Sequence, residues 1–470
     1  MSTGGGLLDL VARGKKDTFF TSNPKISFIH SVYKRCGAFT QEIRYTQPRN
    51  NPEWGHWTEF EIEPVGDIMR NPTLLIDLPT WLPVSQAENN LTSITTDLSG
   101  IQYGYCRHIG ILMIEKVQIF MDQLLVHEYW GHWLQLRTAM SKNAPVYAKM
   151  ANRTNTDYIC HAATPPRLYI PIPMVGNQAK DDQGFPLTAL KQSRFRIRVY
   201  LRKLEELIEA SDGRLNPNPW AKEFQQQTQQ TQQTQQTQQT QQTQQTQQTQ
   251  IFTTINKYQM KSPLITLETT QIYLPRDAQE LLKKTTLSLP FIQTQLGKFT
   301  IESNKWPQTS NNTITLSYPL DFVGAVSRLT VFVQSDASIQ AGQQYNIADI
   351  SGNDFLNTIR LNSGTIDRLN VFPVSIWNSV ANYYKNERRP NINNIPLKVY
   401  SLTFGKDSSQ RPLGTFNMTR ANSNAVLYAE LAPTPTDPRT NSKKAYLSVF
   451  GEAWNILEIK DGNAVVLFAD

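Results

Sequence analysis

The amino-acid sequence predicts an all-β protein in which two β-sandwich or jelly-roll units of about 200 residues each follow one another. Apolar and polar residues alternate with a period of two along many segments, as in strands that bury one face. Helical signals are few, and the 470 residues include 27 prolines and 23 glycines, which favours strands joined by long loops. Many short strands with few helices are typical of sandwiches and jelly rolls.

The alternation predicts individual strands along the whole chain. It is clearest over residues 194–202, where arginines alternate with apolar residues from Phe195 to Leu201. Near the C-terminus, Asp461-Gly462 separates two apolar runs and predicts a hairpin. Further strands are predicted at residues 59–63, 116–121, 329–333 and 397–399.

Two segments carry helical signals. Residues 125–140 could hold a short helix, which Gly131 weakens. Asp277, with Glu280 three residues later, is typical of a helix N-cap, so we expect a short helix near the middle of the chain. Because strand-rich segments lie on both sides of it, this helix is expected to be a linker.

These elements divide the chain into four regions: an N-terminal arm at residues 1–24, a first unit at 25–275, a linker at 276–290 and a second unit at 291–470.

Residues 225–250 repeat the triplet Gln-Gln-Thr and cannot bury enough apolar surface to offset the entropy of ordering them. We predict a disordered surface loop there, which a folded sandwich tolerates. Gln-rich tracts also promote β-aggregation, so a functional sticky segment is the alternative.

Charge and cysteine content argue against several classes of protein. The net charge of +7 comes from scattered lysines and arginines, so we expect no specific nucleic-acid binding. Three cysteines without regular spacing argue against a disulfide scaffold. We expect no signal peptide, because the apolar run at residues 7–11 is short and contains Asp9. No apolar run reaches the roughly 18 residues that a spanning helix needs.

Enzyme-like constellations are weak. His127 and His132 stand five residues apart, whereas zinc-protease histidines stand four apart on one helix face. We therefore expect surface or interface histidines, no catalytic or metal-binding residues, no enzyme and no cofactor. Trp54, His56 and Trp57 could bind sugars, but a buried plug or a subunit contact is the favoured interpretation.

The N-terminal segment carries the most specific pattern. Leu10-Val-Ala-Arg-Gly-Lys-Lys-Asp17 is an extended arm, Asn23-Pro24 a turn, and residues 25–35 a strand. This order resembles the N-terminus of the double jelly-roll major capsid proteins of nucleocytoplasmic large DNA viruses, such as chlorella viruses and iridoviruses. Ser22 replaces the usual glycine, and Lys34 replaces an arginine. The resemblance continues in the family's order at residues 66–69, 117–134, 167–173, 186–190, 411–420 and 446–468.

The resemblance implies two tandem eight-stranded antiparallel jelly rolls and a structural function. Such proteins form homotrimers with a pseudo-hexagonal outline, and these capsomers tile an icosahedral shell over an internal membrane. The implied partners are copies of the chain, neighbouring capsomers and minor capsid proteins, with the internal membrane as a further candidate. The implied location is the virion capsid, made and assembled in a virus factory of the host cytoplasm. The arm would supply basal contacts through Leu7, Leu8, Leu10, Arg13, Lys15, Lys16, Asn23 and Pro24.

Two alternatives stay open. One is a minor or paralogous capsid protein of the same fold. The other is a carbohydrate-binding β-sandwich protein or hydrolase, which the ordered series of matching segments and the missing catalytic motif disfavour.

Overall fold

Antiparallel strands form both halves of the protein. The structure is a computed structural model, in which Thr40–Asp470 is one compact unit. It describes residues 38–80, 84–85, 92–93, 96–140, 167–175, 184–190, 193–226, 251–254, 261–307, 312–363, 366–377, 391–392, 395–396, 398–405, 414–419 and 425–468.

The first half contributes strands β1 (Thr40–Thr46), β2 (Trp57–Ile62), β3 (Ile68–Asp77), β4 (Val84–Ser85), β5 (Thr92–Ser93), β6 (Tyr103–Tyr105), β7 (Ile114–Met121), β8 (Leu124–Trp130), β9 (Arg167–Pro171), β10 (Phe185–Pro186), β11 (Phe195–Leu201), β12 (Ile208–Ala210), β13 (Glu223–Gln226), β14 (Ile251–Thr254) and β15 (Leu264–Tyr273). The second half contributes β16 (Leu287–Ile301), β17 (Ile314–Leu320), β18 (Ala325–Ser335), β19 (Leu356–Ser363), β20 (Ile366–Pro373), β21 (Asn391–Ile392), β22 (Ile395–Pro396), β23 (Val399–Thr403), β24 (Phe416–Asn417), β25 (Ala425–Leu431), β26 (Ala445–Lys460) and β27 (Asn463–Val466).

The helices are short. They are α1 (Ile109–Leu112), α2 (Gly131–Met140), α3 (Arg276–Lys284) and α4 (Asp336–Gln340). Single 3-10 turns occur at Leu187–Ala189, Leu204–Leu207, Pro219–Ala221 and Ser303–Lys305.

The two halves repeat one strand order. In the first half, one sheet runs β1-β15-β3-β10, with β9 also paired to β3, and the other runs β2-β11-β7-β8. In the second half, the corresponding sheets run β16-β26-β18-β23, with β24 also paired to β18, and β17-β25-β19-β20. Two antiparallel sheets with this interleaved order form a jelly roll. The protein is therefore a double jelly roll, as the sequence predicts.

The clearest predicted strand and the predicted C-terminal hairpin are both confirmed. In β11 the apolar side chains are buried and the alternating polar ones are half-buried. Strands β26 and β27 pair from Lys460 and Asn463 outward. Between them, Asp461 and Gly462 have φ angles of 52° and 88°, which suits a two-residue hairpin turn whose central residues both need positive φ.

Gly131 changes the predicted helix at residues 125–140. The residues before Gly131 belong to β8, and only Gly131–Met140 is helical. A Cβ atom on Gly131 would lie 2.0 Å from the backbone oxygen of Ile114. Glycine is therefore required where α2 begins, because α2 starts in direct contact with the backbone at the start of β7.

The predicted linker helix exists, but its N-cap assignment is wrong. Helix α3 begins at Arg276, is preceded by Pro275 and has no side-chain cap. Asp277 lies in the first turn, where its charge favours the positive end of the helix dipole. Glu280 does not reach back to a cap; its carboxylate pairs with Arg276 and Lys284 at 3.4 and 3.6 Å. The division into domains at residues 276–290 stays a prediction.

The prediction of a Gln-Gln-Thr loop over residues 225–250 is wrong for its first two residues, which belong to a strand. Gln225 and Gln226 belong to β13 and pair with Phe252 and Ile251 of β14. The backbone pairing overrides the low strand propensity of this polar sequence at its first residues. Residues 227–250 lie outside the described residues.

Candidate assembly surfaces

Strand β18, which lies within the sheet β16-β26-β18-β23, is buried on both of its faces. Every residue of β18 from Val326 to Gln334 is buried. Leu329 and Val331 pack in the core of the second half, whereas Phe332 packs in the core shared with the first half. The prediction of a one-sided strand at residues 329–333 is therefore wrong, because the first half of the chain covers the second face.

Strand β8 and helix α2 provide this cover, and we call their contact with the second half the seam. It includes ring contacts between the two halves. The ring centroids of Trp130 and Phe450 are 6.0 Å apart, and those of His132 and Phe332 are 5.9 Å apart. Thr294 adds a polar contact, since its hydroxyl donates to the carbonyl oxygen of Glu128 at 2.7 Å. The seam thus joins the halves through both aromatic packing and hydrogen bonds.

A buried ion pair lies at the centre of the seam. Arg328 and Glu452 face each other across β18 and β26, with a shortest N–O distance of 2.7 Å and side-chain exposures of 5% and 1%. The indole nitrogen of Trp133, from α2, donates to Oε1 of Glu452 at 2.9 Å. Burying two charges is favourable only when such bonds satisfy their remaining polar atoms. The first half therefore completes a polar site of the second half.

The two histidines that resemble a zinc motif lie in the seam and not on the surface. His127 is buried, its ring 5.9 Å from that of Phe291. Desolvation, and then the charge of Arg137, lower the pKa of His127 to about 3. His132 accepts a bond from Arg202 at Nδ1 and donates from Nε2 to the carbonyl of Gln344, at 3.1 and 3.2 Å.

His132 is also held neutral. Desolvation, and then the nearby Arg202, lower its pKa to about 3. The two histidines belong to different elements, a strand and a helix, so they do not share a helix face. Across the described residues, no three His, Cys, Asp or Glu side chains come together as a metal site would require.

The outer face of the first half's sheet β1-β15-β3-β9 carries exposed apolar side chains. Ile43 and Tyr45 of β1 are 56% and 61% exposed, and Leu264 of β15 is 69% exposed. Their polar neighbours Glu42 and Arg44 lie on the opposite, inward side, opposite Gln271 and Thr269 of β15. Strand β1 is thus reversed relative to a normal sandwich strand, because its apolar side faces outward.

The outer face of the other first-half sheet carries charges that neutralise one another. Glu59 of β2 pairs with Arg196 and Arg198 of β11, at 3.5 and 2.8 Å. Glu61 pairs with Arg49 at 2.6 Å. These arginines are therefore engaged with carboxylates and do not form the unpaired basic stripe that nucleic-acid binders present.

Two of the predicted contact residues differ in burial. Trp54 is partly buried beside Tyr105, with ring centroids 6.4 Å apart, as a plug would be. Trp57 is 41% exposed, and the guanidinium of Arg198 lies 4.5 Å from its ring centroid. The buried-plug interpretation is wrong for Trp57, because this side chain points outward from β2; a subunit contact stays a prediction. The predicted arm residues Leu7, Leu8, Leu10, Arg13, Lys15, Lys16, Asn23 and Pro24 lie outside the described residues.

Comparison with known proteins finds similarity to viral capsid proteins. Residues 27–253 match the family model for the major capsid protein N-terminus. Capsid protein 1 of Acanthamoeba polyphaga mimivirus is 26% identical over 222 residues, which are 44% of this chain and 36% of that protein. The major capsid protein of Chrysochromulina ericina virus is 25% identical over 271 residues, 47% of this chain and 46% of that protein.

The chain is similar in sequence to the major capsid proteins of large DNA viruses. Its alignments span less than half the length of these two relatives. A quasi-atomic model of the PBCV-1 virus capsid superposes with a TM-score of 0.68 at 15% identity, covering 94% of this chain and 100% of that chain. The Faustovirus major capsid protein superposes with a TM-score of 0.56 at 12% identity, covering 95% and 94%. The likeness in structure extends over both halves.

Sequence reasoning missed the seam and the reversed face of β1. A signal for the seam exists, since Arg328 and Glu452 each interrupt an apolar strand. Charged residues at such positions are rarely buried unless they are paired. Among the described helices, none has the length and apolarity needed to cross a membrane.

We predict that Glu452→Ala lowers the free energy of unfolding by about 3–5 kcal/mol, because Arg328 is left buried without its partner. Urea unfolding monitored by tryptophan fluorescence measures this change. Glu280→Ala is the matched control, since it removes an exposed ion-pairing carboxylate and should cost less than about 1 kcal/mol. Equal losses in the two variants would contradict the role of the buried pair.

We also predict that stability falls as the pH drops from about 6.5 towards 3, the range between the unfolded and folded pKa values of His127. In this range the unfolded chain binds the proton that the folded chain excludes. At pH 5 the loss is about 2 kcal/mol per such histidine. His127→Phe should flatten the pH dependence of the urea midpoint, whereas His56→Phe, at an exposed position, should not. Identical pH profiles for all three proteins would refute this prediction.

Proposed function

We propose that the protein is a major capsid protein whose homotrimers form pseudo-hexagonal capsomers that tile an icosahedral shell. The repeated strand order carries this proposal. Three copies of a chain with two similar units present six similar units around one axis, which gives a nearly hexagonal block from a threefold assembly. The function is assembly and not catalysis, and the homology to capsid proteins supports it.

The proposed partners follow from this geometry and from the family. Each trimer contacts neighbouring capsomers through its loops and sheet edges. The N-terminal arm contacts minor capsid proteins or an internal membrane at the base of the shell. Its basic residues Arg13, Lys15 and Lys16 suit acidic protein surfaces or lipid head groups. A minor or paralogous capsid protein of the same fold is the alternative, and its copy number in particles would be low.

The purified full chain is expected to have three times its mass of 53.6 kDa in solution. Light scattering measures this mass, and negative-stain images of the same peak should show hexagonal blocks. The trimer follows from the two-unit chain, because a monomer would leave the proposed ring open. A stable monomer at every concentration tested would contradict the capsomer proposal.

Deletion of residues 2–20 is expected to leave the trimer intact and to reduce incorporation of minor proteins into shells. The reason is that the arm and not the sandwiches would make the basal contacts. Particle composition, measured by quantitative mass spectrometry of purified shells, tests this. A triple Arg13→Ser, Lys15→Ser, Lys16→Ser variant isolates the contribution of charge. Normal shells with all minor proteins in the deletion variant would refute the role of the arm.

A further inference from the structure

We propose that a patch of four lysines at one end of the second half binds sulfated polysaccharides. The lysine patch consists of Lys298 near the end of β16, Lys305 shortly after that strand, and Lys443 and Lys444 directly before β26. The binding chemistry comes from one chain alone. Only the position of the patch on the outside of a shell rests on the proposed function.

Two chain segments hold the lysines together. Ile301 and Ala445 pair at the end of the β16–β26 ladder, so the residues that follow β16 lie beside those that precede β26. The side-chain oxygens of Ser303 and Ser442 are 2.6 Å apart, and the backbone N–H of Lys443 donates to the Ser303 hydroxyl at 3.1 Å. The backbone positions that carry the patch are therefore fixed by strand pairing and by hydrogen bonds.

Two of the lysines share one aromatic ring. The ammonium groups of Lys298 and Lys444 lie 4.9 and 5.6 Å from the centroid of the Tyr446 ring. The face of such a ring attracts a cation but carries no net charge that could neutralise it. A hydrogen bond with the Tyr446 side chain is the main cause that raises the pKa of Lys444, so this lysine stays charged at neutral pH.

The positive charge of the patch is only partly balanced. In the part of the chain that the structure describes, none of the four lysines forms an ion pair with a carboxylate. Asp336 and Glu302 act on Lys444 at longer range. Asp336 is itself engaged, since it accepts bonds from the Tyr446 hydroxyl at 3.1 Å and the Gln340 amide at 2.7 Å. The patch thus keeps a net positive charge, which complements a polyanion.

The patch lies at the end of the protein opposite to the linker helix. Strand β16 begins beside α3 and reaches the patch at its other end. Its 15 residues, at a rise of about 3.3 Å each, place the patch about 45 Å from α3. Strand β1, which the proposed basal arm precedes in the sequence, starts at Thr40 opposite Tyr273, and therefore at the α3 end. A base formed by the arm would direct the lysine patch to the outside of the shell.

This position and the chemistry of lysine select the occupant. A lysine ammonium group is a compact point charge that binds oxyanions without a fixed geometry. A linear polymer with many sulfate groups can contact several such charges at once, whereas nucleic acid, which has the same sign of charge, would be enclosed inside the shell. A trimer would present three patches, so a long polysaccharide would bind it more tightly than it binds one chain.

The test measures binding of the full-length protein to immobilised heparin. The double variant Lys443→Gln, Lys444→Gln should bind about ten- to thirtyfold more weakly at constant salt, the scale expected for two lysines lost beside an anionic surface. The matched control is Lys283→Gln, Lys284→Gln on α3, which removes the same charge from another adjacent pair of lysines and should leave the affinity unchanged.

Lysine footprinting gives a second measurement that needs no variant. Heparin should protect the lysine patch from acetylation, as read by mass spectrometry, and should leave Lys283 and Lys284 reactive. Equal losses of affinity in the two double variants, no protection of the patch, or tighter binding to duplex DNA than to heparin would overturn the proposal. Light scattering of the same samples tests the trimer separately: a monomer that binds heparin through the patch would refute the capsomer and support this site.

Discussion

The burial of strand β18 on both of its faces is the constraint on which the rest of the structure depends. A strand without a wet face cannot leave a charged side chain unpaired without a large cost in free energy. Arg328 and Glu452 must therefore meet, and Trp133 supplies the donor that completes the site. Because Trp133 lies on α2, that helix has to start close against β7, which Gly131 allows. The halves are joined by specific polar contacts as well as by apolar area.

The two jelly rolls share a strand order but differ in their surroundings. The second half has its sheet β16-β26-β18-β23 covered from both sides, whereas the first half has the matching sheet open on the outside. The first half itself supplies the cover of the second half through β8 and α2. The two halves therefore combine the same strand order with different burial, and β1 carries exposed apolar side chains although its counterpart β16 contributes Phe291 to the buried core.

The sequence was sufficient for the fold class and for strands with one buried face, such as β11, because local alternation reports one-sided burial directly. It was insufficient for β18, since alternation cannot reveal a cover that comes from a distant part of the chain. The seam was not predicted for the same reason, because Trp133 and Glu452, which are hydrogen-bonded in the structure, are 319 positions apart in the sequence. His127 and His132 were predicted to be surface or interface histidines, but their burial depends on packing that spacing does not encode.

The short hairpin β13–β14 has a consequence for how the protein can vary. Gln226 and Ile251 face each other as the last pair of that ladder, so the two ends of the Gln-Gln-Thr tract are fixed by strand pairing and not by the length of the tract. The entropy of closing a flexible segment changes only slowly with its length. Variants that gain or lose whole Gln-Gln-Thr triplets would therefore differ in length between residues 226 and 251. The pairing of strands in both jelly rolls would stay unchanged.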